Sequence, residues 1–161
     1  MESTYSLDGH ERRILGELQR DGRIALAELA RRIGLSPTAV ADRVRDLEGA
    51  GVIRGYTALV DSDLVGLPIC AFVTMSCDGE RCRQLATDIV QFPEAIECYR
   101  LTGDASALIK VAVRSIAELE RLVDRLSEYG KPSTAVILST PLSARPLPIE
   151  LRDTAATARE L

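Results

Sequence analysis

The stretch from Ala25 to Gly51, ALAELARRIGLSPTAVADRVRDLEGAG, constrains the chain more than any other. Leu26, Leu29, Ala30 and Ile33 recur at the spacing of one face of a short amphipathic helix. Gly34 can take the left-handed conformation that ends such a helix, and Leu35 can pack back as the apolar residue after the cap. Ser36 and Pro37 then form a helix-starting pair. The second helix turns Val40, Val44 and Leu47 inward, and steps of about 100° per residue put Thr38, Ala41, Asp42 and Arg45 on the opposite side. Two helices joined by a tight turn, the second with an outer face of short polar and basic side chains, make a helix-turn-helix. Any helical hairpin shares part of this pattern, so the rest of the chain has to support the assignment.

A first helix precedes the pair. Asp8 and Glu11 have capping-box spacing ahead of Ile14, Leu15 and Leu18, which predicts a helix over 9–21, ended by Asp21-Gly22. Three helices are the minimum that lets such a domain close its own core. Met1 to Leu7 reads as a disordered lead-in. After Gly51 the period changes: Val52-Ile53 and Tyr56 to Val60 read as extended chain with a bend at Gly55, either a wing or a strand leading onward. Asp61 to Pro68 supplies the turn residues of a linker.

Six further elements follow. Strands are predicted over 69–76, 96–101, 107–113 and 135–139. Between the first two, Cys82, Leu85, Ala86, Ile89 and Val90 share a helical face that Phe92-Pro93 stops. Ser115 and Glu118 open the other helix, with Ile116, Leu119, Leu122, Val123 and Leu126 inward and Gly130, Lys131 and Pro132 at its end. The order βαββαβ predicts an α+β chain: an N-terminal three-helix (winged) helix-turn-helix domain followed by a ferredoxin-like sandwich with both helices on one face of an antiparallel sheet. The uncovered face predicts a homodimer made by stacking sheets. The expected boundaries are 1–60 for the first domain, 61–68 for the linker, 69–143 for the sandwich and 144–161 for a C-terminal tail, proline-rich at its start and ending in a short polar run that is a frayed helix or disordered.

Composition narrows the function. With 46% hydrophobic and 27% charged residues this reads as an ordinary globular chain, and no run approaches the roughly eighteen apolar residues of a membrane span. The start lacks a signal-peptide core, so a cytoplasmic protein is expected. The net charge of −4 argues against a non-specific coat for nucleic acid, and up to Val60 nine Arg balance nine Asp plus Glu. Cys70, Cys77, Cys82 and Cys98 form no CxxC pair and have no histidine near them, which argues against zinc and predicts buried or half-buried thiols. His10 is the only histidine, and no phosphate loop or nucleophile elbow is present, so no catalytic residue, metal or cofactor is expected.

The run from Leu7 to Asp61, with its LSPTAV turn, RVRDLE helix and GVIRGY exit, the turn Thr102-Gly103-Asp104, and STAVILST in the last strand together resemble the Lrp/AsnC (leucine-responsive, feast/famine) family of transcription regulators. The likeness spans roughly residues 7–141. It implies a sequence-specific binder of double-stranded DNA whose dimers form through the second domain, often building tetramers or octamers, and which commonly binds an amino acid near the TGD turn. Two departures stand out. Asp42 and Asp46 place acids on the recognition helix, and Ala105, Ser106 and Ala107 stand where aromatic and acidic residues are usual.

On this reading Ser36, Thr38, Ala39, Asp42 and Arg45 face the groove, and Arg31, Arg32, Arg43 and Arg54 position the duplex. Asp42 either accepts from a cytosine amino group or pairs with Arg45 or Arg43 away from DNA. An effector would meet Leu101, Thr102, Gly103, Asp104 and Ser106, with Ser133, Thr134 and Val136 contributed across an interface; turn amides would grip a carboxylate and Asp104 an ammonium. The bland alternative is a plain β-turn with Gly103 at positive φ. Other proteins of this build are haem-synthesis decarboxylases that use cleft histidines, which this chain lacks. A ligand-binding or metabolic protein with little DNA function is the remaining alternative.

Overall fold

In the computed structural model residues 5–143 and 145–149 are described, and they fall into two compact units: the first is 5–58 with 142, 143 and 145–149, and the second is Leu59–Pro141. The first unit holds three helices, α1 (Gly9–Arg20), α2 (Leu26–Ile33) and α3 (Pro37–Gly49). The predicted capping box closes α1: Asp8 accepts from the Glu11 amide and Glu11 from the Asp8 amide, each at 2.8 Å. Gly34 ends α2 at φ 80°, and Ser36 caps α3 by accepting from the Ala39 amide at 3.1 Å. Ile14, Leu15, Leu29, Ala30, Ile33, Val40, Val44 and Leu47 form the buried core, as the helical periodicities require.

Three expectations in this unit fail. Leu26, placed inward by its spacing, is 46% exposed because it opens α2 before the helix reaches the core. Residues 52–60 form no strand; Val52 and Ile53 pack on the three-helix core, Tyr56, Leu59 and Val60 stay exposed, and no strand among the described residues pairs with the run. Tyr5 to Leu7 is anchored rather than disordered, since the Tyr5 hydroxyl donates to Glu11 at 2.9 Å and Leu7 packs on the core. The first four residues of that lead-in lie outside the described residues.

The expected tail is also partly engaged. Gln19 grips Leu147, accepting from its amide at 2.6 Å and donating to its carbonyl at 3.3 Å, and Ile149 packs against the three-helix core. The short polar run beyond Ile149 lies outside the described residues.

The second unit is the βαββαβ sandwich. Its elements are β1 (Ile69–Ser76), α4 (Gly79–Asp88), β2 (Ala95–Arg100), β3 (Ala107–Val113), α5 (Ile116–Ser127) and β4 (Lys131–Val136), with sheet order β2-β3-β1-β4 and every pairing antiparallel. Ala71, Val73, Met75, Ile109 and Val111 line one face and pack on Leu85, Leu119, Leu122 and Leu126 of the helices. Alternation puts Phe72, Thr74, Leu108, Lys110, Tyr99 and Ala135 on the other face, which no described element of this unit covers.

The expected helical stripe on α4 survives only in part: Leu85 is buried and Ile89 packs on the core, but Val90 is 84% exposed because the helix tightens into a 3₁₀ turn over Ile89–Gln91. Ile116 is likewise exposed, at the first position of α5. The last strand starts at Lys131, four residues before its predicted start, and takes in Pro132; β4 is an edge strand, where a missing amide donor is tolerated.

The candidate DNA-reading face and the turn beside β1

At the start of α3 the Ser36 cap consumes one orphan amide, and Thr38, Asp42 and Arg45 lie exposed on the face opposite Val40, Val44 and Leu47, with Ala39 half-buried. Asp42 pairs with Arg45 at 2.8 Å, an exposed i,i+3 contact; of the two partners the sequence left open, Arg45 is the one observed. Arg43 turns instead to Asp8 at the start of α1 and approaches Glu11 at 4.0 Å. The Glu11 amide, and after it Arg43, holds the Asp8 carboxyl below its ordinary range. Arg43 thus braces α3 against the α1 cap while its side chain stays half-buried.

Arg31 and Arg32 both bind Glu28, at 2.7 and 2.8 Å, and Arg32 also binds Glu17 at 2.7 Å. Hydrogen bonds from Arg31 first and Arg32 next bring the Glu28 carboxyl down to about 2. Both arginines remain exposed, so these pairs are weak enough to exchange for phosphate. Arg54 is exposed and has no ion pair among the described residues.

In the second unit Leu101 to Ser106 forms a closed turn. The Leu101 amide donates to the Ser106 carbonyl at 3.0 Å, and Gly103 takes φ 101°, in the left-handed region that favours glycine. The turn is seated on the end of β1. The Ser106 amide donates to Met75 at 2.7 Å, its hydroxyl donates to the Cys77 carbonyl at 3.1 Å and accepts from the Cys77 amide at 3.2 Å, and Ser76 donates to the Asp104 carbonyl at 3.2 Å. Ser106 is thus committed to holding the turn. Thr102, Gly103 and Asp104 remain exposed. Ser133, Thr134 and Val136 lie on β4, which β1 separates from β3, and their side chains alternate between the two faces; one copy of the chain does not gather them at the turn.

The cysteines depart from expectation. Cys77 and Cys82 are joined in a disulfide, Cys70 is half-buried beside the Ser62 hydroxyl at 3.5 Å, and Cys98 is exposed. Searching for CxxC spacing misses this bond, because the informative spacing is that of a helix start. Asp78 is the N-cap of α4, so Cys77 and Cys82 occupy the positions just before the cap and four residues after it, where an apolar pair normally staples a helix entry. A cavity of about 570 Å³ lined by Glu94, Arg114, Glu118, Arg121 and Arg125 was also not anticipated. Its charges come from α5 and from the connections before β2 and after β3, which no linear motif reports.

Comparison with known proteins places both units. Residues 7–54 match a winged helix-turn-helix DNA-binding family and residues 70–147 the Lrp/AsnC ligand binding domain. The leucine-responsive regulatory protein of Escherichia coli K12 is 34% identical over 153 residues, covering 91% of this chain and 93% of that protein. The chain belongs to the Lrp/AsnC family. Its Lrp/AsnC relative LrpC, a transcriptional regulator of Bacillus subtilis, is 35% identical over 133 residues, covering 83% of this chain and 92% of LrpC, and the solved LrpC structure superposes with a TM-score of 0.79. A feast or famine regulatory protein of Mycobacterium tuberculosis, solved with L-methionine, superposes at 0.83 with 36% identity, covering 87% of this chain and 97% of that one. The Lrp/AsnC assignment thus spans both the helical unit and the sandwich. Among the described residues no helix is long and apolar enough to cross a membrane.

Proposed function

We propose that this Lrp/AsnC protein is a sequence-specific transcription regulator that acts in the cytoplasm, reads DNA with the outer face of α3 and answers to an amino acid. The observation that carries the reading is the exposed run Thr38, Asp42 and Arg45 at the start of a helix whose opposite side is locked into a three-helix core. A recognition helix needs that division: a rigid inner face for register, and an outer face of short polar and long basic side chains for base edges and phosphates. Ser36 and Ala39 set the helix end against the backbone, Arg45 is the main contact, and Arg31, Arg32 and Arg54 position the duplex.

Copies of the chain pair through the uncovered sheet face, and dimers assemble further into tetramers or octamers. The effector is an amino acid, as bound by the Mycobacterium tuberculosis relative. It sits where the Thr102 and Gly103 amides meet a carboxylate and Asp104 an ammonium, with Ser133, Thr134 and Val136 of a neighbouring copy completing the wall. Binding that favours one assembly over another shifts the population and so the DNA affinity. The test is a titration of the protein's own upstream DNA at several salt concentrations, with and without a panel of amino acids, while assembly size is followed by light scattering. The reading requires salt-dependent, sequence-selective binding. Salt-insensitive or sequence-blind binding would end the DNA assignment, and amino acids that change neither affinity nor size would end the effector assignment.

A further inference from the structure

The Cys77–Cys82 disulfide lies at a junction where three connections meet. Cys77 directly follows β1 and exchanges two hydrogen bonds with Ser106, the anchor of the 101–106 turn. Its neighbour Ser76 holds Asp104 of the same turn. On another side, Gly130, between α5 and β4, lies so close that a Cβ there would come 2.5 Å from the Ser76 carbonyl oxygen and 2.8 Å from the Cys77 Cβ. Cys82 sits in the first turn of α4, its amide donating to Asp78 at 2.9 Å. The bond therefore ties the backbone that seats the turn to the first turn of a helix whose start is otherwise fixed by the Asp78 cap and whose middle is fixed by Leu85 in the core. Both cysteines are half-buried, within reach of a small thiol.

We propose that this pair is a reversible redox switch that sets the rigidity of the 101–106 turn. A regulator working in the cytoplasm, as proposed above, is surrounded by reductants that keep structural disulfides from persisting, and a disulfide formed there is a signal. In the reducing direction a thiolate attacks one sulfur of the pair, giving a mixed disulfide. A second thiol then displaces it, so that two electrons pass from two thiols to the cystine and leave Cys77 and Cys82 as thiols beside one small-molecule disulfide. Oxidation runs the same exchange backwards with glutathione disulfide as the oxidant. Reduction leaves the entry of α4 held by the Asp78 cap while Leu85 keeps the rest of the helix on the core, frees the Cys77 backbone to move, and loosens the two Ser106 contacts that depend on it.

The test uses the full-length protein equilibrated in glutathione buffers from fully reduced to fully oxidised. Alkylation mass spectrometry should show Cys77 and Cys82 gaining and losing reactivity together and reversibly. Hydrogen exchange at the Cys77 and Ser106 amides should quicken at least about fivefold on reduction, as local opening becomes cheaper. Cys82→Ser should exchange like the reduced protein and ignore reductant, while Cys70→Ser should respond like the parent. Thiols that never join in glutathione disulfide, a bond that survives excess reduced glutathione, or equal exchange in the two states would each overturn the switch. L-methionine calorimetry in both states separates this inference from the effector reading. Weaker binding on reduction is expected, whereas equal binding alongside a clear exchange difference removes the effector from the turn and leaves the switch in place.

Discussion

At the scale of single residues, the Asp42–Arg45 pair decides how the reading face behaves. It is an exposed i,i+3 contact, and such pairs contribute about 0.3–0.5 kcal/mol, so a phosphate or a guanine edge competes for Arg45 at little cost. Arg45→Ala should weaken operator binding by more than about tenfold, on the order of 1–3 kcal/mol, in an anisotropy titration at fixed salt. Asp42→Asn provides the contrast. With Asp42 acting as partner to Arg45, binding to operator and to unrelated DNA should rise together, and a fall on the operator alone would reassign Asp42 to a cytosine. Glu28 offers a pH test. Its carboxyl lies at about 2 in the folded protein against an ordinary 4.5, so its stabilising effect is complete above 4.5 and is lost as pH falls from there through 2. Glu28→Gln should flatten that part of an acid unfolding curve, and an NMR titration should find the Glu28 midpoint well below the other exposed glutamates.

At the scale of elements, the Ser36 cap sets where α3 begins and hence which side chains reach outward. Ser36→Ala should cost about 1 kcal/mol in urea unfolding of the helical unit. Such local signals made much of the fold readable in advance. Asp8 with Glu11, Gly34, Ser36 with Pro37, and the alternation of Ala107, Ile109, Val111 and Val113 each act within a few residues, and each stands where its spacing placed it. The illegible parts depend on partners distant in sequence. Arg43 is a brace only because Asp8 lies beside it, thirty-five residues away. Residues 52–60 have strand-forming side chains but nothing to pair with, and Lys131 and Pro132 join β4 because β1 offers Ser76 and Met75 opposite them. The disulfide needed the helix entry to be placed before its spacing had meaning.

At the scale of the whole molecule, the proposed assembly through the open sheet face can be tested at one residue. Phe72 and Leu108 lie half-buried at the centre of that face, with the Lys110–Glu97 pair toward β2. Stacking two copies would hide this apolar centre from water, and Phe72→Glu would leave a charge there without a partner. Light scattering should show that variant falling to monomer with its secondary structure intact, and a Phe72→Glu protein that stays dimeric would move the interface elsewhere. The return of the chain to its first unit has another effect. Gln19 waits for Leu147, made 128 residues after it, and the three-helix core waits for Ile149. The helical unit is therefore finished only after the sandwich has been made, and a helical fragment cut at Ala58 for crystallisation or operator screening would carry a gap on its surface where its own closing segment belongs.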